Sequence, residues 1–108
     1  MSKDLAVSIY KTTQDSSQMN RDSRLKQQIC SSAVSIASNI AEGEMLSSVK
    51  QRNRHFHIAK GSAAELVTQL MIAAEIQYIT KEKSDKLIDR CDHIAAILQK
   101  LINRTPKI

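Results

Sequence analysis

Between Lys50 and Lys60 the chain reads Lys-Gln-Arg-Asn-Arg-His-Phe-His-Ile-Ala-Lys, with four fixed positive charges, two imidazoles and no acid. The acid-free stretch is longer still, from Met45 to Ala64. Cations grouped in this way suit phosphates: each contact releases a counterion and gives affinity without reading sequence. Lys50, Arg52, Arg54, His57 and Lys60 are therefore the candidate nucleic-acid-binding residues. At helical spacing Lys50, Arg54 and His57 share one side, Arg52 falls near the apolar stripe at the end of the helix, and Lys60 lies at the stripe's edge. A solvated helix face is the competing reading, since antiparallel geometry brings Glu42 level with Lys50 to Arg54, where a neighbouring Arg would neutralise it. Arg21, Arg24 and Lys26 belong to a separate patch toward the opposite end. With Tyr10, Phe56 and Tyr78 as the only aromatics, no stacking platform for single-stranded bases is expected.

Other chemistry is missing from the pattern. His55 and His57 are two residues apart, which turns them about 200° from each other on a helix, so they cannot chelate one ion. Cys91 and His93 fail for the same reason. Glu42 and Glu65 lie on antiparallel helices whose register pairs Glu65 with Lys26 to Gln28, so they read as structural hydrogen-bond or salt-bridge groups. No serine has an evident His and carboxylate partnership for nucleophilic catalysis. Gly61, placed in mid-helix at a cost of about 1 kcal/mol against Ala, suggests close backbone packing on another helix. The expectation is a non-enzyme with no catalytic residue, no metal and no cofactor.

The elements that must carry these residues are helices. Two Gly, one Pro and three aromatics in 108 residues leave little for strands and tight turns. The spacing predicts a first helix over about 3–18, with Ser2 as cap, Asp4 against the dipole and Leu5, Ile9 and Thr12 or Thr13 as stripe. The polar run from Asp15 to Asn20 then dissolves the pattern. A second helix over about 23–43 repeats Leu25, Ile29, Ala33, Ile36 and Ile40 at steps of three and four, with Gly43 as a left-handed C-cap. Ser48 and Gln51 form a capping box for a third helix over about 48–77, striped by Val49, Phe56, Ala59, Ala63, Leu66, Leu70 and Ala73. Thr80 caps a fourth helix over about 81–103, striped by Leu87, Cys91, Ile94, Leu98 and Leu101. Residues 104–108, with Pro106, read as a tail. The fold expected is all-α, an antiparallel up-down four-helix bundle in a single domain over 1–108.

The second helix is unusual in having no charged residue from Gln27 to Ala41. The outside of a monomeric bundle ordinarily shows water a charged face. Its non-core side instead offers Ser31, Ser35, Ser38 and Asn39 with Cys30, Val34, Ala37 and Ala41, while Ile58, Met71 and Ile72 stand off the main stripe of the third helix. A centrally placed helix in a skewed monomer bundle is one reading. A subunit interface using Cys30, Val34, Ala37, Ala41, Ile58 and Ile72 in a closed homo-oligomer is the other.

Sixteen Lys and Arg against eleven Asp and Glu give a net charge of +5, which suits a polyanionic partner. The two cysteines are not motif-spaced, no secretory h-region is evident, and no run approaches the ~20 apolar residues of a membrane span. A cytoplasmic protein with no membrane association is expected.

Two stretches carry more than pattern. Ala33-Val-Ser-Ile-Ala-Ser-Asn-Ile-Ala-Glu-Gly43 and Phe56-His-Ile-Ala-Lys-Gly-Ser-Ala-Ala-Glu-Leu66 resemble the two signatures of a bacterial four-helix-bundle family. That family includes proteins encoded in intervening sequences of large-subunit ribosomal RNA genes and is related to accessory variability determinant proteins of diversity-generating retroelements. The resemblance covers roughly residues 5–80, with departures at Cys30, Ser31 and Ala37, where Arg and Pro are common in the family. It implies a ring-shaped homopentamer with the uncharged second helix at the subunit interface. It also implies nucleic-acid binding, with structured RNA favoured over DNA. The alternative it implies is a protein-interaction scaffold, such as an accessory partner of a retroelement reverse transcriptase.

Overall fold

The apolar stripes converge on one core. Leu5 and Ile9, Ile29, Ala33 and Ile36, Phe56 through Ala73 at helical spacing, and Leu87, Cys91, Ile94 and Leu98 are all buried. Each fully buried Leu or Ile contributes about 1.5–3 kcal/mol relative to exposure. The computed structural model describes residues 1–104, in which these stripes belong to α1 (Ser2–Asp15), α3 (Ser23–Met45), α4 (Val49–Glu75) and α5 (Lys81–Asn103), with a short α2 (Ser17–Arg21) after α1. No strand occurs among the described residues. The predicted tail with Pro106 lies, in residues 105–108, outside them.

Cross-helix contacts fix the topology. Thr13 lies beside Cys30, Ser35 beside Ser62, Ser84 beside the Leu70 carbonyl, and Arg90 beside Ser8. Consecutive long helices are thus antiparallel, and α1 packs on both α3 and α5. This is an up-down four-helix arrangement 52 Å long and about 20 Å across, with α2 as an added turn.

Several local expectations are corrected. The first helix stops at Asp15 rather than about residue 18, because Ser16 is extended (φ −90°, ψ 110°). Ser16 instead caps α2, accepting from the Met19 N–H at 3.2 Å while donating to the Tyr78 carbonyl at 2.7 Å. Ser2 lies inside α1, whose N-cap is Met1 with no side-chain cap bond. Gly43 is no left-handed cap, since α3 runs through it to Met45 and no glycine has positive φ. Its role is steric: a Cβ there would stand 2.7 Å from Phe56 Cε1 and 3.3 Å from the Arg52 carbonyl oxygen. Gly61 shows the reverse, because a Cβ there would meet nothing within 4 Å. Among the described residues no other helix approaches it closely enough to require a glycine. The predicted caps Ser48 and Thr80 do accept from the N–H groups three residues on, and Asp22 does the same for α3.

Candidate nucleic-acid interface

The basic segment occupies the first three turns of α4. Ser48 starts the helix, and Phe56 and Ala59, buried against α3 and α5, set its rotation. Lys50, Arg54 and His57 therefore face solvent. Among the described residues, neither Lys50 nor Arg54 is held in an ion pair. Their positive charge is available to an outside anion.

The other candidates are engaged within the chain. Arg52 is half-buried, and its Nη2 donates to the Leu46 carbonyl at 3.0 Å, which ties the α3–α4 connection to α4. Its Nε is buried with no hydrogen-bond partner among the described residues. Lys60 donates from Nζ to Gln99 Oε1, a neutral acceptor that leaves the charge in place. That contact also locates α5: its last turn carries Lys100, and its C-cap is Arg104, at the same end of the bundle as the basic segment. Sequence reading did not group these two with the site, because only the antiparallel register of α4 and α5 makes them neighbours.

Glu42 is paired with a histidine rather than an arginine. His55 is half-buried against α3, and its Nδ1 lies 3.0 Å from Asn39 Oδ1 and 3.5 Å from Glu42 Oε2. Both neighbours are acceptors, which assigns the hydrogen to Nδ1. Asn39 in turn donates to the Ser35 carbonyl at 2.9 Å, and Ser35 Oγ meets Ser62 Oγ at 2.8 Å. The uncharged polar residues of α3 thus form a network along its seam with α4. His55 belongs to this seam and His57 to the exposed face, which separates the two imidazoles as their spacing requires. Among the described residues no cluster of His, Cys, Asp and Glu is arranged to hold a metal ion.

Further along the same seam, Glu65 lines a polar groove of about 680 Å³ with Gln27, Gln28 and Ser31. The predicted register is correct, but Glu65 is exposed and in no ion pair among the described residues. Arg24 lies at this groove, toward the end opposite Lys50, and Lys26 is bound to Asn20 Oδ1 at 2.7 Å.

The six proposed interface residues divide. Cys30 is 5% exposed and in contact with Thr13, so it belongs to the core and no other copy can reach it. Stepping from Ile29 to Ala33 leaves Cys30 on the side that α1 covers. Val34, Ile58 and Ile72 are each more than two-fifths exposed, Ala41 is exposed and Ala37 is partly so. No helix among the described residues is long and apolar enough to cross a membrane.

Comparison with known proteins agrees with this architecture. A solved structure from Bacteroides thetaiotaomicron, a protein of unknown function from the S23 ribosomal protein family, superimposes with a TM-score of 0.82. It is 27% identical, and the match covers 94% of each chain. No curated protein matches. The family described as 23S rRNA-intervening sequence protein matches residues 1–100, which takes in both signature stretches, α1 to α4 and most of α5. The chain belongs to the 23S rRNA-intervening sequence protein family.

Proposed function

We propose that the protein is a non-enzymatic, oligomeric nucleic-acid-binding protein of the cytoplasm, taking structured RNA in preference to DNA. The observation that carries this reading is the stripe of Lys50, Arg54 and His57 on α4, exposed and without a carboxylate partner among the described residues. Lys60, Lys100 and Arg104 extend it at the same end of the bundle. Arg52 shapes the loop beneath it more than it reaches outward. Such a surface contacts phosphates and reads shape rather than sequence. A homo-oligomer, with a pentameric ring favoured by the family resemblance, would repeat the stripe and add individually weak contacts. The exposed isoleucines and valine support assembly, because a monomer leaves them in water.

The test is RNA binding by the full chain across a salt series. Lys50→Glu with Arg54→Glu is expected to weaken binding to all structured RNAs alike. Losing two phosphate contacts should lower the slope of log affinity against log salt by roughly 1.5–2. Unchanged affinity and slope would remove this surface from the function. An oligomer indifferent to RNA that captures a protein at high salt would favour the scaffold reading instead.

A further inference from the structure

An apolar groove and a helix ridge that carries exposed isoleucines are both open to solvent among the described residues, and they differ in shape and charge. The first is a groove of about 380 Å³ between α1 and α3, lined by Val7, Tyr10, Val34 and Ala37 with Lys3 and Lys11 on its rim. Val7, Tyr10 and Val34 are each more than two-fifths exposed. The second is a ridge on α4, where Ile58, Gly61, Glu65, Thr68, Ile72 and Glu75 recur at steps of three and four. All six are exposed, and the ridge extends about 26 Å.

Gly61 gives the ridge its meaning. Mid-helix glycine costs about 1 kcal/mol against alanine, and here no neighbour among the described residues requires it. A low point in the ridge admits the backbone of a second molecule. Charge complements shape. Lys3 and Lys11 lie about 12 Å apart along α1, and Glu65 and Glu75 about 15 Å apart along α4. Each pair brackets apolar residues, and none of the four is in an ion pair among the described residues.

We infer that the α4 ridge of one copy seats in the α1/α3 groove of the next. Ile72 enters between Val7, Tyr10 and Val34, and Glu65 and Glu75 meet Lys3 and Lys11. Because the two faces differ, the contact is head-to-tail, the type that closes into a ring when the rotation permits. Lys50 and Arg54 precede the first ridge residue by one to two turns, so the joint leaves them in solvent. This inference rests on the oligomer reading above and adds which surfaces join.

Light scattering on the full chain and on exposed-site variants tests it. Val34→Asp spoils the groove and Ile72→Asp spoils the ridge, and circular dichroism should show helix content unchanged in both. Each alone is expected to fall to the protomer mass of 12.1 kDa. An equimolar mixture, which retains one intact groove and one intact ridge, should form a species of twice that mass. Lys3→Glu with Lys11→Glu should likewise dissociate the oligomer, and adding Glu65→Lys with Glu75→Lys should restore it. A mixture that stays at protomer mass together with no charge-swap rescue would overturn the inference. So would single variants that keep the wild-type mass. A wild-type chain at protomer mass would overturn the oligomer reading itself.

Discussion

Glycine substitutions separate the two environments on α3 and α4. Gly43→Ala drives a methyl into the Phe56 ring and toward the Arg52 carbonyl. The helix-propensity gain of about 1 kcal/mol only partly offsets overpacking, leaving a net loss of about 1 kcal/mol or more, read as a lower urea midpoint. Gly61→Ala meets open space and should stabilise the folded chain by up to about 1 kcal/mol in the same measurement. Titration acts at this scale too. Burial pushes the Cys91 thiol up to about 11, helped by Asp92, and burial also raises Cys30. The hydrogen bond that Tyr78 donates to Asp22 raises the phenol. Raised values mean that the folded chain keeps these protons while the unfolded chain loses them. The stability they contribute is complete below about pH 9 and declines as pH rises toward 11. Urea midpoints should be flat from pH 7 to about 8.5 and fall beyond it, and Cys91→Ala should reduce that slope.

At the scale of elements, the ends of the helices decide the bundle's shape. α4 finishes with Gln77 at φ 65°. The Tyr78 N–H bonds the Ala73 carbonyl and the Gln77 N–H bonds the Ala74 carbonyl, the paired closure of a Schellman turn. Glutamine in a left-handed conformation is strained by roughly 1 kcal/mol. Gln77→Gly should therefore stabilise by about 0.5–1 kcal/mol net of backbone entropy, seen as a higher melting temperature. The turn matters because it delivers Tyr78 to Asp22, itself the cap of α3, and its carbonyl to Ser16. The two chain reversals at this end, α1 to α3 through α2 and α4 to α5, are thereby joined, away from the basic segment. The break at Ser16 follows from the same contact: a hydroxyl committed to Tyr78 and to the Met19 N–H favours a new helix start over continuation.

Across the whole molecule, charge is distributed by end. Lys50, Arg54, Lys100 and Arg104 gather at one end, Arg21, Arg24 and Lys26 near the other, and the seam between α3 and α4 is nearly neutral. Polyanion affinity should accordingly follow the α4 end. Arg21→Glu with Lys26→Glu is expected to change RNA affinity by less than Lys50→Glu with Arg54→Glu in a side-by-side titration at low salt. Equal losses would point to overall net charge instead of a localised surface.

The sequence by itself determined the helices and their inward faces. A repeat of three and four residues is a local property, and so is a serine, threonine or aspartate followed by an N–H that it can cap. It also displayed the acid-free run of cations and the uncharged second helix without reference to any partner element. The rest depended on residues distant in the chain. Ser16 ends α1 because Tyr78, 62 positions later, takes its hydrogen bond. Gly43 is required by Phe56, and Gly61 by no neighbour among the described residues. Cys30 and Val34 both lay off the core stripe, yet α1 covers one and leaves the other in water. Which groups are spent within the fold and which face outward is decided by helix register and rotation, and these are set jointly by four stripes packing at once.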